Sequence, residues 1–267
     1  MDKPSIAQIK YMRRHYSQRI IVNIIRISIL VFVVLIWELC AKYGYIDDFI
    51  FSSPSRIFKT IKSLSSDNSL YYHTWVTIYE TLISFGLVTV ISIIAAMFLW
   101  FSKSLSDIFE PYLVILNSLP KSALAPVLIV WLGNTIRTII VTAVSVAVFG
   151  TIISIYTGFR EVDTDKIKLI KTLGGKRRHI MLKVIIPSTI PIIISSMKVN
   201  IGLALVGVII GEFLAANAGL GYLIIYGSQV FKMDLVLMSI VLLCILAAIL
   251  YLTLAGIEKL YGKYMSV

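Results

Sequence analysis

Two cysteines, three histidines and fourteen acidic residues are all that 267 positions offer of the groups that most often bind metals or move protons. Cys40 and Cys244 both lie within apolar runs, so neither a disulfide framework nor a thiolate metal site is suggested. His15, His73 and His179 fall in tails, in loops or at the edges of apolar runs, and no aspartate lies inside such a run. No serine–lysine or metal-ligand pair occurs at workable spacing. An enzyme working inside the membrane therefore lacks the converging groups it needs. The phosphate-cradling pattern Gly-x-x-x-x-Gly-Lys-Ser/Thr is also missing, so any ATP chemistry is expected on another polypeptide. Internal repeats, which would favour a stand-alone secondary transporter, are not seen. Low-complexity stretches are missing too.

Apolar residues are what the chain has in excess. They make up 58% of it, and mean hydropathy is +0.90, whereas soluble domains sit near 45–50%. Leu82–Phe101, Thr138–Phe159 and Leu235–Leu254 carry no charge, and roughly 20 helical residues cross a bilayer core. Six spans are expected: Ile20–Cys40, Thr77–Phe101, Tyr112–Trp131, Thr138–Phe159, Ile190–Leu214 and Leu235–Gly256. Each span must satisfy its own backbone groups in lipid, and the runs are too long for barrel strands, so helices are predicted. The fold class is an all-α membrane protein of six transmembrane helices. Residues 1–19 form a cytoplasmic tail and residues 20–267 one membrane domain. The first run follows Lys3, Lys10, Arg13, Arg14 and Arg19. It is longer than the roughly 7–15 residues of a signal peptide's apolar region, and no small-x-small cleavage site follows it. It reads as an uncleaved first span, with Asn23 and Arg26 at its cytoplasmic end.

The net charge of +11 fits either nucleic-acid binding or cation-rich cytoplasmic loops. Placement decides between them. With the N-terminus inside, sixteen cations fall in cytoplasmic segments and six in outer ones. Arg26, Lys121 and Lys198 lie within spans. This bias predicts an N-in, C-in topology and argues against a nucleic-acid partner. On the outer side, Ser53 or Ser55 can cap a short helix starting near Pro54. Its Ile57, Phe58, Ile61 and Leu64 lie at helical spacing, as in a helix resting at the outer interface.

The longest cytoplasmic segment, about residues 160–187, holds eight cations and three anions. Lys166–Leu173 can form a helix with Leu169, Ile170 and Leu173 on one face and Lys168, Lys171 and Thr172 opposite. Gly174-Gly175 then ends it. A second helix can start near Lys176, with Lys176, His179 and Lys183 on one side and Ile180, Met181, Val184 and Ile185 on the other. Pro187 and Pro191 are expected to break or kink the chain as the fifth span begins. Two uses fit: a basic loop that fixes topology and touches anionic lipid, or a rigid docking element for a cytoplasmic partner.

The segment "KLIKTLGGKRRHIMLKVIIPSTIP" resembles the cytoplasmic signature loop of bacterial ABC-importer permeases. That pattern reads Glu-Ala-Ala, three residues, Gly, nine residues, Ile, one residue, Leu-Pro. Gly174, Val184 and Ile186-Pro187 fall at the matching positions. The Glu-Ala-Ala positions hold Lys168, Leu169 and Ile170 instead, which implies a partner surface with compensating charge or a contact made elsewhere. "SLPKSALAPVLIVWLG" (Ser118 to Gly133) and "VGVIIGEFLAANAGLGYLI" (Val206 to Ile224) are similar to the nitrate, sulfonate, taurine and thiamine-precursor branch. That branch often has arginine where Lys198 stands. The resemblance runs from about Trp37 to the end.

It implies the type I importer permease fold and a translocation subunit in the cytoplasmic (inner) membrane, whose work is solute import rather than catalysis. It implies a second permease chain, as in a homodimer, two copies of an ATP-binding subunit carrying ATP and Mg, and an external solute-binding protein. No cofactor is expected on this chain. Lys168, Lys171, Thr172, Gly174, Gly175, Arg178 and Pro187 become the candidate docking residues.

Inside the membrane, charges are costly, by at least ~2.5 kcal/mol at the centre. Lys198 and Glu212 lie on roughly the same helix face but about 21 Å apart along it, so each needs its own partner. Lys198 either snorkels to the cytoplasmic side or lines a path for an anionic solute. Glu212 either caps local structure or pairs across a dimer, or it contacts a gate or solute. Pro120 and Pro126 interrupt the third span, which favours a pathway position for Ser118, Leu119 and Pro120. Gly219-Leu220-Gly221, with Gly227 after it, forms either a gate or an ordinary turn.

Overall fold

The computed structural model of the chain describes residues 6–265. Of the tail expected at 1–19, residues 1–5 lie outside the described residues, and the rest is already helical. Among the described residues every regular element is a helix. Helix α1 (Ile6–Lys42) continues into the first span without a break. Ile24, Ile27, Leu30 and Phe32 along it are more than half exposed, as suits a helix facing lipid. It meets the rest of the chain near its C-terminal end, where Glu38 Oε2 accepts from Ser55 N at 3.0 Å.

Two short helices follow, α2 (Asp48–Phe51) and α3 (Pro54–Ser66). Ser53 caps α3, accepting from Arg56 N at 3.4 Å, and Pro54 occupies the first turn, where a missing donor costs nothing. Ile57 is buried, and Ile61 and Leu64 pack beside it. Phe58, expected on the same face, is 69% exposed. It sits next to Ile57 in sequence, about 100° further round the helix. Arg56 fixes α3 in place: Nη2 donates to Asp234 at 2.9 Å and Nη1 to Asp48 at 2.9 Å. Hydrogen bonds to Asp234 and then to Asp48 raise this guanidinium above its ordinary value.

Helix α4 (Ser69–Phe101) starts at Ser69 rather than at the expected Thr77. Its 33 residues measure about 50 Å, more than a hydrocarbon core. The helix simply outlasts its apolar stretch. The third span is broken, as its prolines predict. Helix α5 (Lys103–Ser118) ends at Leu119 and Pro120, both extended, and after one 3₁₀ turn α6 (Ala125–Leu132) leaves at 80° to it. Helix α7 (Ile136–Arg160) is central, packed between α4 and the fifth-span helix.

Helix α8 (Thr164–Thr172) crosses the end of the bundle, and α9 (Arg177–Ile180) follows. Here the structure departs from the expected break. Helix α9 passes through a π turn (Met181–Ile185) into α10 (Ile186–Ala215) as one continuous rod. Pro187 does not stop it. Ile186 N already bonds Met181 O, five residues back, so the hydrogen-bond ladder has shifted register where the proline lacks a donor. Helices α11 (Leu220–Gln229) and α12 (Met233–Met265) complete the chain.

Lipid offers no hydrophobic drive between helices, so close packing has to hold them. A methyl added at Gly207 of α10 would sit 2.5 Å from Ala143 Cα of α7, and one at Gly211 would sit 2.9 Å from Ile139 Cα. This small-xxx-small stripe lets the two backbones approach. Two apolar clusters flank the contact. One joins Ile152, Ile155 and Phe159 to Ile180, Met181 and Ile185. The other joins Leu205, Leu220 and Leu223 to Leu235 and Met238 at the opposite end. Among the described residues five helices are long and apolar enough to cross a bilayer, or six spans result if the bent α5–α6 pair counts as one.

Candidate functional site

Two constructions concentrate polar groups, one at each end of the bundle. The first is the turn between α10 and α11. Glu212 lies one turn before the end of α10 and is 1% exposed. Its Oε1 accepts from Thr77 Oγ1 at 2.7 Å, and its Oε2 accepts from Gly221 N at 2.5 Å. Thr77 Oγ1 also accepts from Leu220 N at 2.8 Å. Gly219 N donates to His73 Nδ1 at 3.0 Å, which places the neutral imidazole's proton on Nε2. The first N–H groups of a helix have no partner of their own. Those of α11 are satisfied by side chains reaching across from α4 and α10.

Gly219 and Gly221 are needed for this cap. A methyl on either would run into the Glu212 carboxyl, and Gly219 has φ +115°. The Gly219-Leu220-Gly221 stretch is thus an ordered seat for a carboxyl. Glu212 caps local structure, one of the readings open from sequence.

Reasoning from sequence missed Glu80. It is 2% exposed and lies beside the Glu212 carboxyl. Its Oε2 has no hydrogen-bond partner among the described residues. Two acids buried in contact, with no cation between them, repel when both are charged. The available signal was Thr77-x-x-Glu80, polar groups one turn apart on a single face just inside an apolar run. Stacked rings cover the outer side: His73 on Tyr222 at 6.0 Å between centroids, and Tyr222 on Tyr226 at 6.0 Å. A cavity of about 680 Å³ opens next to them, with Lys59 and Lys232 on its walls.

The other predicted membrane residues lie apart from this cluster. Lys198 Nζ donates to Glu258 Oε2 of α12 at 2.6 Å, so its charge is met by an ion pair within the chain. Ser118, Leu119 and Pro120 are exposed at the α5–α6 bend, where Ser118 Oγ donates to Val114 O at 2.9 Å. Among the described residues no hydrogen bond or ion pair links these three to Glu212.

The second construction is the loop end, residues 160–187. Gly174 ends α8 with φ +76°, a conformation that favours glycine, and Gly175 N closes back on Ile170 O at 2.8 Å. The elbow stands where it was expected. The inward face of α8 does not. Ile167 and Ile170 pack on the core beside Val162, while Leu169 is 59% and Leu173 74% exposed. Lys168 pairs with Asp165 at 2.9 Å, and Thr172 and Arg178 are exposed. Ile180, Met181, Val184 and Ile185 are buried as the periodicity predicts, and Pro187 lies exposed in the first turn of α10. Arg177 Nη1 donates to Phe101 O at 2.8 Å, tying this segment to the end of α4.

Comparison with known proteins gives concordant matches. Residues 88–261 match the family model described as "Binding-protein-dependent transport system inner membrane component". A probable ABC transporter permease protein of Haemophilus influenzae is 29% identical over 220 residues, covering 82% of this chain and 89% of that protein. A putative aliphatic sulfonates transport permease protein, SsuC, of Bacillus subtilis is 25% identical, covering 80% and 77%. Among solved structures, an inward-facing conformation of the MetNI methionine ABC transporter superposes with a TM-score of 0.62. It is 20% identical and covers 69% of this chain and 92% of that one, a likeness of fold.

Proposed function

The chain belongs to the family of binding-protein-dependent transport system inner membrane components, permease subunits of ATP-driven importers, and from that premise we propose how its two ends divide the work. The loop end docks a separate ATP-binding subunit, which hydrolyses MgATP. The turn end faces the external solute-binding protein. Sixteen cations against six on the two sides support an N-in, C-in orientation in the cytoplasmic membrane, with α8 inside. Two copies of the chain form the pathway, each with its own ATP-binding subunit.

The observation that carries this reading is the exposed apolar edge of α8. Leu169 and Leu173 stand out from a helix that Ile167 and Ile170 anchor to the core, and a glycine elbow fixes their direction. A loop serving only to set topology needs cations, not outward leucines. Apolar anchors surrounded by charge are what a docking partner engages. Similarity to a sulfonate permease supports a small organic anion as the solute, and the cavity with Lys59 and Lys232 at the turn end would attract one.

Co-purification tests the docking. Wild-type chain extracted from native membranes should retain an ATP-binding subunit, and Leu169→Asp/Leu173→Asp should lose it while remaining monodisperse. Equal retention by the double variant would refute α8 as the docking element.

A further inference from the structure

A second cavity, of about 370 Å³, opens at the loop end beneath α8, between the ends of α4 and α7 and the start of α5. Four cations line it, Lys103, Arg160, Lys171 and Arg177, against one carboxylate, Asp107. Two of the four are held in position. Arg177 is fixed through one guanidinium nitrogen by Phe101 O at 2.8 Å, leaving the rest of its fork free. Arg160 lies over the Tyr156 ring at 5.8 Å, with Glu110 at 3.6 Å on its outer side. Lys103 and Lys171 make no ion pair among the described residues. Lys171, grouped from sequence with the docking face, therefore lines a cavity behind α8. The floor is apolar, with Leu99 and Ile180 buried and Trp100 at the rim. Trp100 is at the last turn of a membrane-length helix, the level at which tryptophan meets lipid headgroups.

An apolar floor, a tryptophan rim and a surplus of positive charge at a helix end match one chemistry. We propose that this cavity binds the phosphate of an anionic phospholipid, whose occupancy ties α8 to the end of α4 and the start of α5. Lys103 and Lys171 supply the mobile cations and Arg177 the fixed fork, while Asp107 sets an upper limit on the charge accepted. A free phosphate would meet the same donors. The apolar floor and the position at the membrane edge favour the lipid.

Native mass spectrometry of the full chain, released from nanodiscs of mixed phosphatidylglycerol and phosphatidylcholine, reads the site directly. Wild type should retain phosphatidylglycerol in preference to phosphatidylcholine. Lys103→Gln/Lys171→Gln should lower that retention by about tenfold or more, as expected for two lysines near a phosphate. Lys103→Arg/Lys171→Arg should restore it, separating charge from folding, and Lys59→Gln/Lys62→Gln on α3 should leave it unchanged. Undiminished retention by Lys103→Gln/Lys171→Gln, or no lipid preference in wild type, would overturn the proposal. Inorganic phosphate is the second arm. If it binds with the same dependence on Lys103 and Lys171 while phosphatidylglycerol does not, the site takes a soluble anion and the lipid assignment fails.

Discussion

The turn end and the loop end both gather polar side chains and use them in opposite ways. At the turn end Glu212, Thr77 and His73 spend their hydrogen bonds on the first turn of α11, in a setting about 1% exposed at Glu212. The site completes itself. At the loop end Leu169, Leu173, Lys103 and Lys171 are left exposed, and the helix presenting them is anchored from behind by Ile167 and Ile170. That site is incomplete without something else. The difference separates what the fold needs from what assembly needs, and mutations should sort accordingly.

The sharpest break should come from Glu212→Ala. It leaves Gly221 N unpaired in a buried site, at about 1–3 kcal/mol, and takes the shorter of the Thr77 hydroxyl's two acceptors, leaving it His73 O at 3.3 Å. Thermal unfolding of the detergent-purified protein should show a marked loss of stability; a midpoint equal to wild type would mean that the cap is not structural. Glu258→Gln comes next. It strips Lys198 of its carboxylate in a setting where the lysine side chain is 18% exposed, and about 1–2 kcal/mol is expected. A double-mutant cycle with Lys198→Met should recover most of that as coupling. Glu80→Gln should change stability by less than about 1 kcal/mol, because the amide keeps the shape of the carboxyl, carries no charge beside Glu212 and supplies a donor. A large loss there would assign Glu80 a bond not evident in its surroundings. Leu173→Ser sits at the small end for stability, within about 0.5 kcal/mol, as for an exposed position. Its effect should appear instead in solute-stimulated ATP hydrolysis by the reconstituted importer, which should drop severalfold. Unchanged hydrolysis would leave the two ends no longer distinct in kind.

Much of this was legible in the residues, and the illegible parts share a cause. Runs of about 20 apolar residues, the Pro120 and Pro126 interruption and the Gly174-Gly175 elbow are local signals, and they appear where the spacing puts them. Contacts across the chain leave no such trace. Thr77 and Glu212 are 135 positions apart, and nothing near either one specifies the other. The same holds for Lys198 and Glu258, 60 positions apart. Periodicity also misled where it assumes that apolar means inward. Leu169 and Leu173 keep helical spacing yet face out, because Ile167 and Ile170 already occupy the core side of so short a helix. Pro187 read as a break or kink because a single π turn, which absorbs the missing donor, has no composition of its own.

That π turn has a consequence for phase. Five residues, Met181–Ile185, hold one more residue per turn than the α-helices on either side. Removing one residue there would restore regular winding and leave the faces beyond it nearly in phase, whereas a residue removed from the regular α-helix after it would rotate everything beyond by about 100° relative to the docking loop. Such a rotation would swing Glu212 away from Thr77 and turn the Gly207–Gly211 stripe off α7. The turn therefore absorbs one residue without disturbing the angular offset between the two ends of one rod. A one-residue deletion should be tolerated far better within Met181–Ile185 than between Ile186 and Gly207.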